Sequence, residues 1–418
     1  MLRKKDMPYS QLTTEKHAVP PVPVVGSLYP IHLRDDGGAV DWRRGLATAL
    51  FYSGALRLAA TILGIRKLEL SRGTMSLRLQ RITSPKLLIL CYHRVGLGGV
   101  PLYSQLAPAL FEAQMRYLRK HYRLVSLEEG FHALQESQAC GPMVAVTFDD
   151  GYRDIYTHAF PVLRKYEIPA TVYLIAESME TGVVGWYDRI FLALQVFPAT
   201  QIEVELDRRE TFQLTSSKTR FRAALEIVSR LRTLSNGRRR QICQELETRI
   251  SLQPEHLRNK ILTWQQVAAM QDAGVTFGSH TMSHPVVSQL AETEMKRELA
   301  DAKKLLEMKL GRTVNDFAFP FGHFEDCGAA ATNLLANTGY RSGVTTVPGV
   351  NTNKTNPFAL RRVQVDESHN LAQFALLLNQ HLLFADSLFQ EAPISKPAVI
   401  ELTSRQAPFS ASQGTRNA

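Results

Sequence analysis

Cysteine is scarce in this 418-residue chain. Its four cysteines, Cys91, Cys140, Cys243 and Cys327, are widely separated and never form a Cys-x-x-Cys pair. That spacing suggests neither a disulfide framework nor a thiolate zinc cluster, and buried, reduced thiols are the expected state. Long apolar runs are equally rare. The nearest to one, residues 45–64 (GLATALFYSGALRLAATILG), is interrupted by Arg57 and reads as a packed or membrane-surface helix in preference to a span. The opening residues lack the apolar core and small-residue cleavage site of an export signal, so the expected location is the cytoplasm, peripheral to the inner face of the membrane if 45–64 touches lipid. Acidic charge is outnumbered, and the formal net charge of +10 favours an anionic partner. No nucleic-acid partner is expected, because the Arg238-Arg239-Arg240 run leads straight into CQELETRI without aromatic residues to stack on bases; a solvated helix face is the better reading.

What is present is enough apolar content, 44%, for a substantial core. Residues 1–30 read as a Pro-rich disordered arm, 31–84 as a helical N-terminal region, and 389–418 as a disordered tail. Between them, short apolar runs alternate with amphipathic segments, which signals an α/β fold. Seven strands are expected, around 87–93, 144–148, 170–176, 275–279, 316–320, 340–346 and 361–366. Helices are expected at 111–122, 155–166, 292–310 and 327–338. Seven strands suffice to close or nearly close a parallel barrel, whose functional groups belong at the carboxyl ends of its strands. The interval 181–260 carries charged helical segments and little strand signal, and reads as a helical insert.

Chemistry concentrates at two strand ends. In VAVTFDDGYRD an apolar strand runs into Asp149 and Asp150, followed by Gly151. Adjacent strand residues point to opposite faces, so both carboxylates serve one site only if the backbone turns, which Gly151 permits. The bland alternative is an acidic cap on the next helix. In VTFGSHTMSHPVV a second strand runs into His280 and His284, and one helical turn between them would put both imidazoles on one face. Two neutral imidazoles and the Asp150 carboxylate make a three-ligand divalent-metal site with positions left open, and Asp149 stays free as a base for water.

TFDDG, SHTxSH and FPFG, in this order over about residues 85–383, resemble the polysaccharide deacetylases of the NodB-homology group, carbohydrate esterase family four. The resemblance implies a distorted seven-stranded (β/α) barrel over 85–388 with the insert at about 181–260. It also implies one divalent ion, zinc first and cobalt or nickel next, on Asp150, His280 and His284, with Asp149 as base and an N-acetylated glycan as substrate. Pro320 and Phe321 fall in the third motif, whose loop shapes the groove and offers the Phe321 amide to the oxyanion. Two departures stand out. Ala318 occupies the place of the family's usual base-orienting arginine, so Arg362 is assigned to hold Asp149, its local alternative being an exposed arginine at a strand start. The usual late leucine-x-histidine is absent after Arg362, while LLILCYHRV has that character early on, as in circularly permuted members. His93 is accordingly assigned as general acid, with an ordinary pKa near 6.5 suited to proton donation. A catalytically inactive carbohydrate-binding barrel is the alternative function, suggested by the missing arginine.

Overall fold

The structure, a computed structural model, describes residues 85–97, 105–136, 142–250 and 252–388. The expected arms, the region 31–84 with its 45–64 segment, and Cys140 lie outside the described residues.

Seven parallel strands follow one path: β1 (Leu87–Tyr92), β2 (Met143–Phe148), β3 (Ala170–Leu174), β4 (Thr276–Ser279), β5 (Asp316–Ala318), β6 (Ser342–Val344) and β7 (Val363–Gln364). Their spatial order is β6-β5-β4-β3-β2-β1-β7, and Arg123–Leu124 pairs alongside the start of β2. The sheet curls round on itself. β7 pairs with β1, and just before it Leu360 makes a parallel bridge to Val344 of β6. All seven expected strands are present, and the architecture is the expected distorted (β/α) barrel.

Both faces of β1 and β2 are buried throughout, which is why they read as unbroken apolar runs. Leu87, Ile89, Met143, Ala145, Tyr173, Ala318 and Val344 turn into the barrel, whereas Leu88, Leu90, Val144 and Val146 pack outward under the helices. Each such leucine contributes about 1.5–3 kcal/mol relative to an exposed one. Leu127 and Leu134 of the capped helix Leu127–Gln135 join the inward cluster and plug the end of the barrel where the strands begin. The opposite end, where the strands finish, is left for chemistry.

Between β3 and β4 lie the helices Trp186–Val196, Ser217–Leu231 and Asn236–Ile250. The interval is not wholly helical: Gln201–Glu205 and Arg209–Gln213 form an antiparallel hairpin. Its strand signal is a short alternation in which Ile202 and Val204 point inward and glutamates outward, easily lost amid the surrounding charge. The Arg238–Arg240 run also departs from a solvated face, since Arg239 is only 2% exposed. The expected helix at 292–310 is three pieces, with a wider π-type turn at Arg297–Asp301 between Glu292–Lys296 and Ala302–Leu310.

Candidate metal centre

β2 delivers Asp149 and Asp150 to the open end of the barrel, and the chain turns at once. Asp150 itself has φ 71° and Gly151 φ 69°, so the reversal starts one residue earlier than the glycine alone suggests. A Cβ on Gly151 would also lie 2.8 Å from the Leu174 side chain. Neither acid caps the helical segment that follows, whose capping position is Asp154. The two carboxylates therefore diverge.

Asp149 faces Arg362, which crosses the barrel interior fully buried. Its Nη1 and Nη2 donate to Asp149 Oδ1 and Oδ2, both at 2.7 Å, its Nε donates to Thr345 O at 2.8 Å, and Nη1 also reaches Thr147 Oγ1 at 3.2 Å. This is the bidentate geometry that fixes a carboxylate most firmly, and it rules out an exposed strand-start arginine. Ala318 fills the interior position opposite, so the guanidinium arrives from the last strand rather than from β5. Burial alone would raise the Asp149 pKa, but Arg362, with His280 and His93, holds it well below the usual carboxylate range. The Cys91 thiol donates to Asp149 Oδ2 at 3.5 Å. As expected, Cys91, Cys243 and Cys327 are buried and unpaired with one another.

Asp150 meets the histidines. Nε2 of His280 and Nε2 of His284 each lie 3.5 Å from Asp150 Oδ1, all three side chains being at most 3% exposed. His280 Nδ1 is 2.8 Å from Ala318 O, an acceptor only, so Nδ1 carries the proton and Nε2 presents its lone pair. Burial lowers the pKa of His280, and burial with the neighbouring His280 and Arg239 lowers that of His284 well below its ordinary value. The Asp150 carboxyl is pushed well above its usual range by burial and by Asp149 and Asp188, with the Tyr187 and Tyr152 phenols acting in the opposite sense. Asp150 Oδ1 finds no hydrogen-bond donor. Two lone pairs and an orphaned carboxylate oxygen converging in a buried place repel one another unless a cation lies between them. The donor set, two imidazole nitrogens and one carboxylate oxygen, fits a divalent ion with positions left over.

The histidine spacing works by a different local structure from the expected helical turn. Residues 280–284 form an irregular loop with φ 68° at Thr281 and 57° at His284. Thr281 Oγ1 accepts the His284 N–H at 2.9 Å, and Glu298, turned inward by the π-type turn, accepts from Ser283 N at 2.8 Å and Ser283 Oγ at 2.6 Å. Side-chain oxygens replace the helical ladder. Trp186 Nε1 donates to His284 O at 2.9 Å, and Tyr152 OH donates to Asp188 Oδ2 at 2.7 Å, where burial has raised the Asp188 pKa to about 7. Tyr152 lies within the VAVTFDDGYRD stretch without a role assigned to it, and Trp186, Asp188 and Glu298 lie outside every motif. The helix-start pattern GWYDRIF was the one available signal for Trp186 and Asp188.

Phe321 stands over the histidines, its ring 4.9 Å from His284 and 6.1 Å from Trp186, with left-handed φ 60°. Pro320, buried before it, accepts from the Gly322 N–H at 2.6 Å in a tight turn. Arg232, at the end of an insert helix, lies 4.2 Å over the Phe321 ring, and its Nη2 donates to both Asp326 carboxylate oxygens at 3.0 and 3.1 Å, tying insert to mouth. His93 follows β1, and its ring lies within 4.8 Å of ligand atoms of Cys91 and Asp149. Its pKa is not the ordinary 6.5: burial lowers it to about 4, against the opposing charge of Asp149.

Residues 136–343 match the family model described as polysaccharide deacetylase. The chain belongs to the polysaccharide deacetylase family. A Bacillus subtilis protein named as a polysaccharide deacetylase, YxkH, is 24% identical over 67% of this chain and 71% of its own length. A Staphylococcus aureus poly-β-1,6-N-acetyl-D-glucosamine N-deacetylase is 36% identical over 76 residues, 18% of this chain and 24% of the relative. Among solved structures, the Streptococcus pyogenes deacetylase PplD has TM-score 0.49 at 20% identity, covering 71% of this chain and 99% of that one. This deacetylase is thus an enzyme whose class of reaction is deacetylation of a glycan.

Proposed function

We propose that the protein hydrolyses the N-acetyl group of amino sugars in a poly- or oligosaccharide or lipid-linked glycan, with a divalent ion on Asp150, His280 and His284. The observation that carries this reading is the convergence of three buried ligand atoms on one point beside an independently anchored carboxylate. The ion would lower the pKa of water to about 7 and polarise the acetyl carbonyl. Zinc suits the donor set, and cobalt or nickel can substitute. The relative named for N-deacetylation of poly-β-1,6-N-acetyl-D-glucosamine supports an N-acetylhexosamine polymer as substrate.

Asp149, kept ionised and oriented by Arg362, takes the proton from the attacking water. His93 delivers a proton to the leaving nitrogen. Because its pKa of about 4 leaves it neutral at pH 7, that proton is one received within the cycle, and Asp149 is the nearby group able to pass it on. The Phe321 ring walls the site, and its amide serves the oxyanion. Acetate and a free amino sugar result.

Acetate release from poly-β-1,6-N-acetyl-D-glucosamine and from N-acetylglucosamine oligosaccharides tests the reading. Chelation should abolish it, and Asp149→Asn should lower kcat by about 10²–10⁴, the worth of a positioned general base. Undiminished turnover in the chelated protein or in D149N would overturn the mechanism.

A further inference from the structure

Beside Trp186, the insert and the barrel line a cavity of about 320 Å³, with Trp186, Ser283, Arg189, Arg239, Arg240 and Glu247 among its walls. Most of its cations are answered. Arg189 pairs with Glu247 at 3.3 Å, and Arg240 lies 3.8 Å from Glu298. Glu177 also lines the cavity.

Arg239 is different. Its side chain is 2% exposed, and among the described residues no carboxylate lies within ion-pair distance of it. One Nη donates to Asn236 Oδ1, the guanidinium lies 4.9 Å over the Trp186 ring, and Nε has no acceptor. A ring face compensates part of a buried charge, not all of it. Burial lowers the pKa of Arg239 to about 10, which still leaves it cationic at neutral pH. A buried, planar, permanently charged fork with an unfilled donor is the chemistry that proteins use to grip a phosphate or carboxylate.

We propose that this cavity is an oxyanion subsite, anchored by Arg239, for a phosphate or carboxylate group brought in beside the glycan site. Trp186 connects the two places, since one face meets Arg239 while its Nε1 holds the His284 carbonyl. Where the substrate carries that group, the insert supplies the selectivity element for it. The connection to catalysis rests on the deacetylase reading above; the anion site does not.

Inorganic phosphate titrated calorimetrically into the full chain as isolated tests the site directly. Wild type should bind it, R239Q should weaken binding by about tenfold to a hundredfold, the scale of one charge-assisted pair, and R238Q, which alters a neighbour bonded to Glu205 O, should bind as wild type. R239K keeps the charge without the fork and should fall between, which covers a failure of R239Q to fold. Phosphate binding unaltered by R239Q, or altered equally by R238Q, would overturn the proposal. Acetate release from an N-acetylglucosamine oligosaccharide, with and without a phosphomonoester, then identifies the source. If the group is carried by substrate, R239Q raises KM for the phosphorylated form and not for the unphosphorylated one, whatever change in kcat the two forms share. If phosphate binding depends on Arg239 while both oligosaccharides respond alike, the site takes free phosphate. Absence of acetate release from every oligosaccharide by wild type would sink the deacetylase reading and leave the phosphate titration standing.

Discussion

Burial raises the proton affinity of any carboxylate, and Asp149 and Asp150 are each 2% exposed, so the company each keeps decides its behaviour. Asp149 has a guanidinium on both oxygens; Asp150 has two neutral imidazoles and no donor on Oδ1. Removing Arg362 leaves a buried carboxylate unpaired, so Arg362→Met should cost about 3–5 kcal/mol of stability. Its surviving activity should show an acid limb shifted to higher pH, because the Asp149 pKa, now held low chiefly by Arg362, would rise. A denaturation midpoint and a pH-rate profile check this; an unmoved limb would remove Arg362 from the orientation of the base. The opposite sign applies to Asp150. Its folded pKa is above the ordinary 3.8, so in metal-free protein its ionisation works against folding as pH rises toward that folded value. Asp150→Asn should therefore melt higher than wild type at pH 7 when both are chelated, while losing metal binding. A lower melting temperature for chelated D150N would mean that the carboxylate serves the fold and not an ion.

Elements with one dominant pattern were legible in the sequence. β1 and β2 are buried on both faces, and their apolar runs announced strands and, at the end of β2, the acids. Local backbone reversals were not. The turn at Asp150, the loop at His280–His284 and the π-type turn at Arg297–Asp301 depend on side chains distant in sequence, such as Glu298 meeting Ser283, and no periodicity records such a meeting. Arg362 was found by asking what replaces the missing arginine at Ala318, an argument from a vacancy in a pattern; Tyr152 and Asp188 left no vacancy and were missed. The loop makes its own test. Glu298→Ala removes two hydrogen bonds from Ser283, which precedes a metal-ligating candidate, and outer supports of this kind are worth roughly 10–100-fold in metal affinity. Competition against a chromogenic chelator should show that loss while circular dichroism stays unchanged. Wild-type affinity in E298A would mean that Thr281 and Trp186 hold the loop without Glu298.

Over the whole molecule, the strand ends bring together groups from β1, β2, β4, β5 and the approach to β7, so the charge of the site is a property of the closed barrel. Without an ion, the barrel holds a carboxylate whose pKa is raised and two imidazoles whose pKa values are lowered. The imidazoles are already neutral near pH 7 and have little to release. Asp150, with its raised proton affinity, is the ligand whose proton competes with a metal first as pH falls. Metal affinity should consequently fall as pH drops, with proton release on binding that grows toward acid pH, because protonated Asp150 competes first and the imidazoles only at lower pH. Zinc titrated into chelator-stripped protein in two buffers of different ionisation enthalpy should give heats that differ in proportion to that enthalpy. In D150N the buffer dependence should vanish along with tight binding. Equal heats in both buffers for wild type, at neutral pH and below it, would show that Asp150 is ionised before the ion arrives, and the raised proton affinity ascribed to its burial would be refuted.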